Sequence, residues 1–288
     1  MIRIPDDLWN EIKNILPDEK PENTIGRPIV PYRKVLDGIV FVLRTGCQWK
    51  MLPKEYGSGS TCHRRFQEWM QLDIFDKIWT RLLKIYDHRR GVKWNWQSLD
   101  SISVKSPLGG DKTGHNPTDR GKLGTKRHIL TDKNGITLSV VIISANTHDV
   151  TVAIDTVDSI IIKRPSSSIS SSASTTTSTT NRNKKKQNLC LDKGYRSKGI
   201  EQEIINRGYM PHIRHRREVE KNKLNRRHSA RRWVVERTNS WHNRFRKLFT
   251  RYEKKEENYL GLVQLANSPY YLQEDNFGIG SKTNEKII

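Results

Sequence analysis

The period of the apolar residues changes near Trp96, and this change limits the folds open to the chain. Before it, apolar residues recur with helical spacing, as Val35, Leu36, Ile39, Val40 and Leu43 do. After it, short alternating or mainly apolar runs are typical of strands, and helical runs follow several of them. The pattern predicts an α/β protein with a small helical domain over residues 1–92 and a second domain over residues 93–266.

The N-terminal part predicts four short helices, at residues 6–16, 32–45, 60–71 and 74–86. The third helix is basic and leaves Arg64 and Arg65 exposed. Four short helices with a basic third one suggest a helix-turn-helix-like DNA-binding domain. Any small helical bundle would give a similar pattern, so the overall charge is what favours DNA.

The second part predicts strands at residues 98–104, 128–132, 136–144, 188–192 and 209–213, with helices at 150–162 and 197–206. Lys133, Asn134 and Gly135 predict a hairpin turn. Residues 107–124 are rich in Gly, Lys and Thr and predict a loop. A Ser/Thr/Lys-rich insertion over 164–187 cannot bury enough apolar surface to order itself. We assign no fold to the polar tail over 267–288.

A single amphipathic helix is predicted from residue 231 through about 252. One stripe is apolar and the opposite side carries Glu236, while Arg237, Arg244 and Arg251 line the flank. A surface glutamate paired with arginine is the ordinary interpretation of this pattern, unless other carboxylates join it. The apolar stripe comprises Val234, Trp241, Phe245, Leu248 and Tyr252.

The charge of the chain favours a polyanionic partner. Residues 207–255 hold 17 Lys and Arg against 4 Glu, so they supply +13 of the net +21. Nucleic acid is the commonest such partner, ahead of an anionic membrane or a basic surface that only aids solubility. We find no apolar run of about 18 residues and no signal peptide, and the three cysteines are far apart. We therefore expect a reduced cytoplasmic protein without a membrane association, bound to the nucleoid when on DNA.

Three carboxylates occupy separate predicted elements. Asp100 lies in the first strand, Asp192 ends a later apolar strand, and Glu236 lies on the amphipathic helix. Carboxylate oxygens are the ligands that Mg²⁺ prefers, and paired ions promote phosphoryl transfer. Aspartates at strand ends are also common turn caps, so the pattern alone leaves both interpretations open.

Ten short sequence blocks follow one another in a fixed order between about residue 5 and residue 266. The blocks are Gly26-Arg27-Pro28, Leu36-Asp37-Gly38-Ile39, Arg44-Thr45-Gly46-Cys47-Gln48-Trp49, Leu52-Pro53, Arg64-Arg65-Phe66-Gln67-Glu68-Trp69, Leu99-Asp100-Ser101, Gly124-Thr125-Lys126-Arg127-His128, Asn146-Thr147-His148-Asp149, Asp192-Lys193-Gly194-Tyr195 and Arg232-Trp233-Val234-Val235-Glu236-Arg237. In this order they resemble the DDE transposases of bacterial insertion sequences, of the IS4/IS5-like group. The resemblance implies a ribonuclease H-like mixed-sheet catalytic domain.

The resemblance also implies a site and a reaction. Asp100, Asp192 and Glu236 become the catalytic, metal-binding triad for Mg²⁺, with Mn²⁺ as a substitute. Metal-activated water cleaves double-stranded DNA at the element ends, and the freed 3′-hydroxyl attacks target DNA without a covalent enzyme intermediate. Two ends must meet, so a homodimer or larger oligomer is expected. The expected DNA contacts are Arg64, Arg65, Lys193, Arg232, Arg237, Arg244 and Lys247.

Some positions depart from the family pattern or allow two roles. Ser229 and Asn243 stand where the family signature has Tyr and Lys, and Lys247 is expected to replace the latter. His148 and Asp149 are auxiliary candidates that either shape the metal site or, through Asp149, cap a helix. The loop residues Lys112, Arg120 and Lys122, and the segment 215–227, are further candidates for DNA contacts or plain solvated loops.

Three functions remain open from the sequence. The first is the transposase, the second a nuclease of the same fold that cuts without joining, and the third a DNA-binding regulator or inactive remnant. The insertion and the polar tail suggest an altered copy, and a shifted reading frame near the end of the gene would produce such a tail.

Overall fold

The computed structural model describes residues 2–21, 29–166, 187–213 and 232–275, with only the backbone of the last eight. The chain divides into two compact units. One joins Met1–Arg90 to residues from Gly261 onward, and the other is Gly91–Leu260. The sequence predicts domains over 1–92 and 93–266 with a tail over 267–288, and this division stays a prediction beside the two compact units.

The first unit is helical. Its helices are α1 (Asp6–Ile12), α2 (Tyr32–Thr45), α3 (Gly59–Gln71) and α4 (Ile74–Arg90). Helix α2 buries Leu36 and Leu43 against the rest of the unit, and α3 buries Phe66 and Trp69. Ser58 caps α3, because its side chain accepts a hydrogen bond from the Thr61 amide at 3.1 Å.

The second unit contains one mixed sheet. Its strands are β1 (Trp96–Lys105), β2 (Gly114–His115), β3 (Leu123–Asp132), β4 (Thr137–Ser144), β5 (Gln187–Leu191) and β6 (Tyr209–Ile213). Strand β3 pairs antiparallel with β1, β2 and β4. Strand β5 pairs in parallel with β1 and with β6. The long strands therefore run in the order β4–β3–β1–β5–β6.

Helices complete the second unit. They are α5 (Ala153–Asp158), α6 (Lys198–Asn206), α7 (Trp233–Asn243) and the short α8 (Arg246–Phe249). Residues of β1, β3 and β5 form one apolar cluster with residues of α5 and α6. Leu99, Leu130 and Leu191 lie at its centre and are almost wholly buried. A helical N-terminal part followed by an α/β sheet domain confirms the predicted fold class.

The predicted hairpin turn joins β3 to β4. Asp132 Oδ1 accepts hydrogen bonds from the amides of Asn134 at 2.8 Å and Ile136 at 2.9 Å. Gly135 has a φ of +89°, a conformation that glycine adopts without steric cost. The Asn-Gly sequence thus folds as its chemistry predicts.

The helix predicted from residue 231 to 252 is interrupted. Helix α7 ends at Asn243, and Phe245 has extended backbone with ψ of 100°. Arg251 is buried, and its guanidinium donates to the carbonyls of Glu253, Asp111 and Lys254. These bonds fix a non-helical path around Arg251, and the neighbouring Tyr252 is 49% exposed instead of joining the apolar stripe.

The last helix, α9 (Glu256–Asp275), extends beyond the predicted end of the fold. The prediction of a tail without structure from residue 267 was wrong as far as Asp275, while 276–288 lie outside the described residues. Asn267 is buried. An established helix gains one hydrogen bond per added residue, so it continues without an apolar stripe. Within the first unit Gln264 donates to Asp76 on α4 at 3.0 Å.

Two other predicted segments differ in detail. The helix predicted at 150–162 is a 3-10 turn over Asp149–Val152 followed by the shorter α5. The loop predicted at 107–124 contains the short strand β2, which pairs with the first two residues of β3, Leu123 and Gly124. Most of the Ser/Thr/Lys-rich insertion, residues 167–186, lies outside the described residues.

Candidate active site

Two of the carboxylates lie together because of strand register. Strands β1 and β5 are parallel neighbours, and their last paired residues are Leu99 and Leu191. Asp100 follows Leu99 within β1, and Asp192 is the residue immediately after β5. Strand β5 ends at Leu191 while β1 continues to Lys105, so the sheet opens beside Asp100 at the carboxyl end of β5, the kind of place where α/β proteins put their sites. The register thus brings Asp100 and Asp192 side by side.

The third carboxylate is supplied by α7. Glu236 lies in the first turn of this helix, where a negative charge is favoured by the helix dipole. Val234 and Val235 bury the adjacent face. Thr238 donates from its hydroxyl to the Gly135 carbonyl at 2.7 Å, which fixes α7 against the β3–β4 turn. Glu236 itself projects from the helix with 50% of its side chain exposed.

The Arg232 guanidinium joins the three carboxylates. It donates to Glu236 Oε1 from Nη2 at 2.6 Å and from Nε at 3.2 Å. Its Nη1 donates to Asp192 Oδ1, and its Nε lies 3.9 Å from Asp100 Oδ2. The three predicted carboxylates therefore all lie around one positive group, the guanidinium of Arg232.

The surroundings of the site shift the pKa values of Asp100 and Arg232. Burial raises the pKa of Asp100 to about 6, although the Ser101 amide and the Arg232 charge lower it; Asp192 and Glu236 raise it further. For Arg232, burial lowers the pKa, but the hydrogen bond to Glu236 and the charges of Asp100 and Asp192 outweigh it, so the pKa is raised. The carboxylates thus need a nearby positive charge to remain ionised together.

The donor set fits a hard divalent cation. Three carboxylates with several free lone pairs match the oxygen ligands of Mg²⁺. In the described part of the chain, no group of three His, Cys, Asp or Glu side chains is arranged to hold a metal ion, and these three are arranged around a guanidinium. The residues have the right chemistry, and Arg232 sets their present positions.

A second polar cluster lies behind the site and was not predicted as a unit. Asp149 Oδ1 lies 2.9 Å from Lys126 Nζ and 3.5 Å from His128 Nε2. The Tyr195 hydroxyl lies 2.8 Å from His128 Nδ1. His128 pairs with Ser101 across β1 and β3, so it faces the side of the sheet opposite to Asp100.

This cluster positions the turn that follows Asp192. Tyr195 ends that turn, and an added Cβ at Gly194 would lie 3.7 Å from Asp149 Oδ2. The 3-10 turn that begins at Asp149 has no side-chain cap, so the helix-cap role considered for Asp149 is wrong. His148 is exposed. One sign of the cluster is present in the sequence: Lys126 and His128 lie two residues apart in β3, a strand that is mainly buried.

The basic residues expected to contact DNA differ in their surroundings. Lys193 and Arg244 are exposed, and Arg244 lies over the Trp241 ring at 4.3 Å. Arg237 is partly buried, donates to the Asn134 carbonyl and lies over the ring of Trp233. These three remain near the surface of the second unit.

Lys247 has different surroundings. It is 5% exposed and lies 3.1 Å from Glu253 Oε1. A cation that is buried and paired in this way already has its charge compensated. The expectation that Lys247 reaches a phosphate in place of Asn243 therefore has no support from its position.

In the first unit, both arginines of α3 pair with Glu68. Arg64 Nε lies 3.8 Å from its carboxylate with 66% of the side chain exposed, as predicted. Arg65 donates to Glu68 at 2.6 Å and is only 23% exposed, so the prediction that it is exposed was wrong. In the second unit, Lys112, Arg120 and Lys122 are exposed on the loop around β2. The candidate segment 215–227 and Ser229 lie outside the described residues.

Comparison with known proteins shows the family. A family model described as "Transposase DDE domain" matches residues 97–266, more than half of the chain. A second model, "Putative transposase of IS4/5 family", matches residues 4–79. The chain therefore belongs to the IS4/IS5-family DDE transposases, which confirms the resemblance found in the sequence. Its sheet domain is the ribonuclease H-like DDE domain.

Among the proteins that are similar to this chain, two come from one insertion element. The "Putative transposase for insertion sequence element IS402" of Burkholderia cepacia is 32% identical over 158 residues, 55% of this chain and 67% of that protein. The "Insertion element IS402 uncharacterized 16.2 kDa protein" of the same organism is 37% identical over 118 residues, 40% of this chain and 80% of that protein. The "Uncharacterized protein y4sN" of Sinorhizobium fredii is 26% identical over 103 residues, 35% and 74% of the two chains.

Membership of this family fixes the broad class of activity. A DDE transposase domain is an enzyme domain that acts on DNA and depends on a divalent metal. Of the helices within the described ranges, none has the length and apolar character needed to cross a membrane.

Proposed function

We propose that this chain binds the DNA ends of its own insertion element and catalyses their cleavage and transfer into target DNA. The observation that carries the proposal is the convergence of Asp100, Asp192 and Glu236 from two parallel strands and one helix. The nuclease alternative requires the same carboxylates, whereas a regulator without chemistry does not. Membership of a transposase family favours joining over cleavage alone.

In the proposed mechanism, Asp100, Asp192 and Glu236 would hold Mg²⁺, for which Mn²⁺ could substitute. When bound, the metal supplies positive charge to phosphate oxygens and lowers the pKa of water. Cleavage joins a water oxygen to the phosphorus and releases the 3′-oxygen of the element end, which takes up a proton. In strand transfer this 3′-hydroxyl attacks a target phosphate, loses its proton, and displaces a target 3′-oxygen.

The other residues of the proposal bind and position DNA. Lys193 follows Asp192 directly and is exposed, so it is suited to hold a phosphate beside the site. Arg237 and Arg244 extend the basic surface along α7. Arg64 and Arg65 are the proposed contacts of the helical unit. We assign Lys247 to packing with Glu253 rather than to DNA.

Two features of the proposal concern assembly and location. Transfer needs both element ends at once, so we propose a homodimer or larger complex on DNA. The proposed place of action is the nucleoid. Asp149 acts indirectly, because its cluster with Lys126, His128 and Tyr195 holds the turn after Asp192. Its exposed neighbour His148 remains an auxiliary candidate.

The proposal is tested with labelled element ends, a plasmid target and Mg²⁺ or Mn²⁺. The parent chain should form joined product, while D192N and E236Q should reduce it by about three orders of magnitude or more, because each change removes a carboxylate ligand of the proposed metal site. DNA affinity should change little in either variant. E257Q is the matched control, because Glu257 is an exposed helix residue that pairs with Lys255.

The products separate the alternatives. Cleaved ends without joined product would support the nuclease, and DNA binding without either product would support the regulator. Joined product at the parent rate from D192N would contradict the role of Asp192.

A further inference from the structure

The guanidinium of Arg232 uses the same oxygens that a divalent cation needs. It donates to Asp192 Oδ1 and, at 2.6 Å, to Glu236 Oε1. Among the described residues, its hydrogen bonds all go to these two carboxylates, and the third carboxylate lies 3.9 Å away. Two cations cannot share these oxygens at close range without strong repulsion.

We propose that Arg232 is a built-in competitor of the metal, which holds the three carboxylates in place until it leaves them for the DNA phosphate. This inference rests on the proposed function and concerns how its site is loaded. The competitor lowers the affinity of the free protein for divalent cations, so that metal binding becomes coupled to DNA binding.

The position of Arg232 suits such an exchange. It lies at the start of α7, four residues before Glu236, so one helical turn links the arginine to a carboxylate it binds. Its side chain is 35% exposed, which gives the guanidinium a route to solvent. Two oxygens of a tetrahedral phosphate can accept a pair of hydrogen bonds from a guanidinium, as a carboxylate can, so the guanidinium loses little when it changes partners.

The same contacts explain why the carboxylates remain close together. Asp100 is only 15% exposed, and Asp192 and Glu236 bring two more negative charges to it. Without a cation among them the three groups would repel one another. Arg232 therefore keeps the three carboxylates close together. In a variant without Arg232, a bound metal should be needed to hold them.

The test measures Mn²⁺ binding to the full chain without DNA, through the loss of the free-ion electron paramagnetic resonance signal. R232Q should bind Mn²⁺ about tenfold more tightly than the parent, a gain of about 1.4 kcal/mol. R237Q is the matched control, because Arg237 lies on the same helix but donates to the Asn134 carbonyl. It removes the same charge and should stay within about twofold of the parent.

Thermal unfolding provides a second readout. R232Q should melt at a lower temperature than the parent when metal is chelated, and saturating Mn²⁺ should raise its melting temperature more than that of the parent. If R232Q does not fold, R232K takes its place. Lysine keeps the charge but loses the planar fork, so about a threefold tighter Mn²⁺ affinity is expected.

Three results overturn the inference alone. They are unchanged or weaker Mn²⁺ binding by R232Q, an equal gain in R237Q, and a metal-induced rise in melting temperature that is the same in R232Q and the parent. Absence of Mn²⁺ binding in every variant would overturn both the inference and the proposed metal site. Tighter binding by R232Q together with a parent that never joins DNA would leave the inference standing and defeat the proposed strand transfer.

Discussion

At the scale of single residues, burial makes His128 harder to protonate than an exposed histidine. Its side chain is wholly buried, and burial lowers its pKa from 6.5 to about 4, with Lys126 lowering it further and Asp149 opposing the shift. In the unfolded chain the same imidazole takes up a proton at a higher pH. Folding stability is therefore lost as the pH falls from the ordinary histidine value toward the folded one.

We predict that H128Q reduces the acid sensitivity of the second unit. Between about pH 7 and pH 5 the parent should lose about 1–2 kcal/mol of stability through His128, and H128Q should not show this part of the loss. The measurement is denaturant unfolding at both pH values. H148Q is the control because His148 is exposed. Equal pH dependence in H128Q and the parent would show that His128 is not held neutral.

At the scale of elements, the β3–β4 turn and α7 depend on each other. Thr238 donates to the Gly135 carbonyl, and an added Cβ at Gly135 would lie 2.9 Å from Thr238 Oγ1 and 3.1 Å from Arg237 Nη2. The glycine is thus required both by its φ of +89° and by the closeness of the helix. Displacement of α7 would also displace Glu236.

We predict that G135A destabilises the second unit more than G121A does. Both glycines have positive φ, but nothing lies within 4 Å of an added Cβ at Gly121. G121A should therefore cost only the backbone strain, about 1–2 kcal/mol. G135A should cost about 1–3 kcal/mol more through overpacking against α7, and should slow strand transfer. Equal unfolding free energies for the two variants would contradict this dependence of the turn on α7.

The sequence predicted elements best where local chemistry decides the structure. Helix α2, strand β6 and the Asn134–Gly135 turn lie where the apolar period and turn residues placed them. The non-helical path after α8 was not predictable, because Arg251 there binds carbonyls as far along the chain as Asp111. Long-range hydrogen bonds of this kind leave no periodic signal.

The same distinction applies to the candidate site. A strand-end aspartate and a helix-borne glutamate can be found from the pattern, and family resemblance selected Asp100, Asp192 and Glu236 among many acidic residues. Their common contact with Arg232 could not be found in this way, because it depends on the parallel register of β1 and β5. The sequence had assigned Arg232 to DNA alone.

At the scale of the whole molecule, the net charge of +21 should govern binding to DNA. Each phosphate contact releases condensed counterions, so affinity falls as salt rises. The exposed cations of the β2 loop, Lys112, Arg120 and Lys122, are candidates for such contacts. Their contribution is separable from catalysis because none of them touches the carboxylates in the described structure.

We predict that the affinity for DNA depends steeply on salt and that the cations of this loop contribute to that dependence. The dissociation constant of the parent for element-end DNA should rise by about a thousandfold or more between about 50 and 200 mM salt. The triple variant K112Q/R120Q/K122Q should reduce the slope of log affinity against log salt by about 2 to 3. D192N, which changes a residue of the proposed metal site, is the control and should keep the parent slope. An unchanged slope in the triple variant would exclude the loop from phosphate contacts.

The division of the chain into units has a consequence for synthesis. The helical unit comprises Met1–Arg90 and also the part of α9 from Gly261 onward, where Gly261 lies against Met70. The ribosome therefore releases the beginning of this unit long before its closing helix exists. The sheet unit can finish folding first, and the helical unit matures only as translation ends, so errors late in the gene reach the part of the protein that was made earliest.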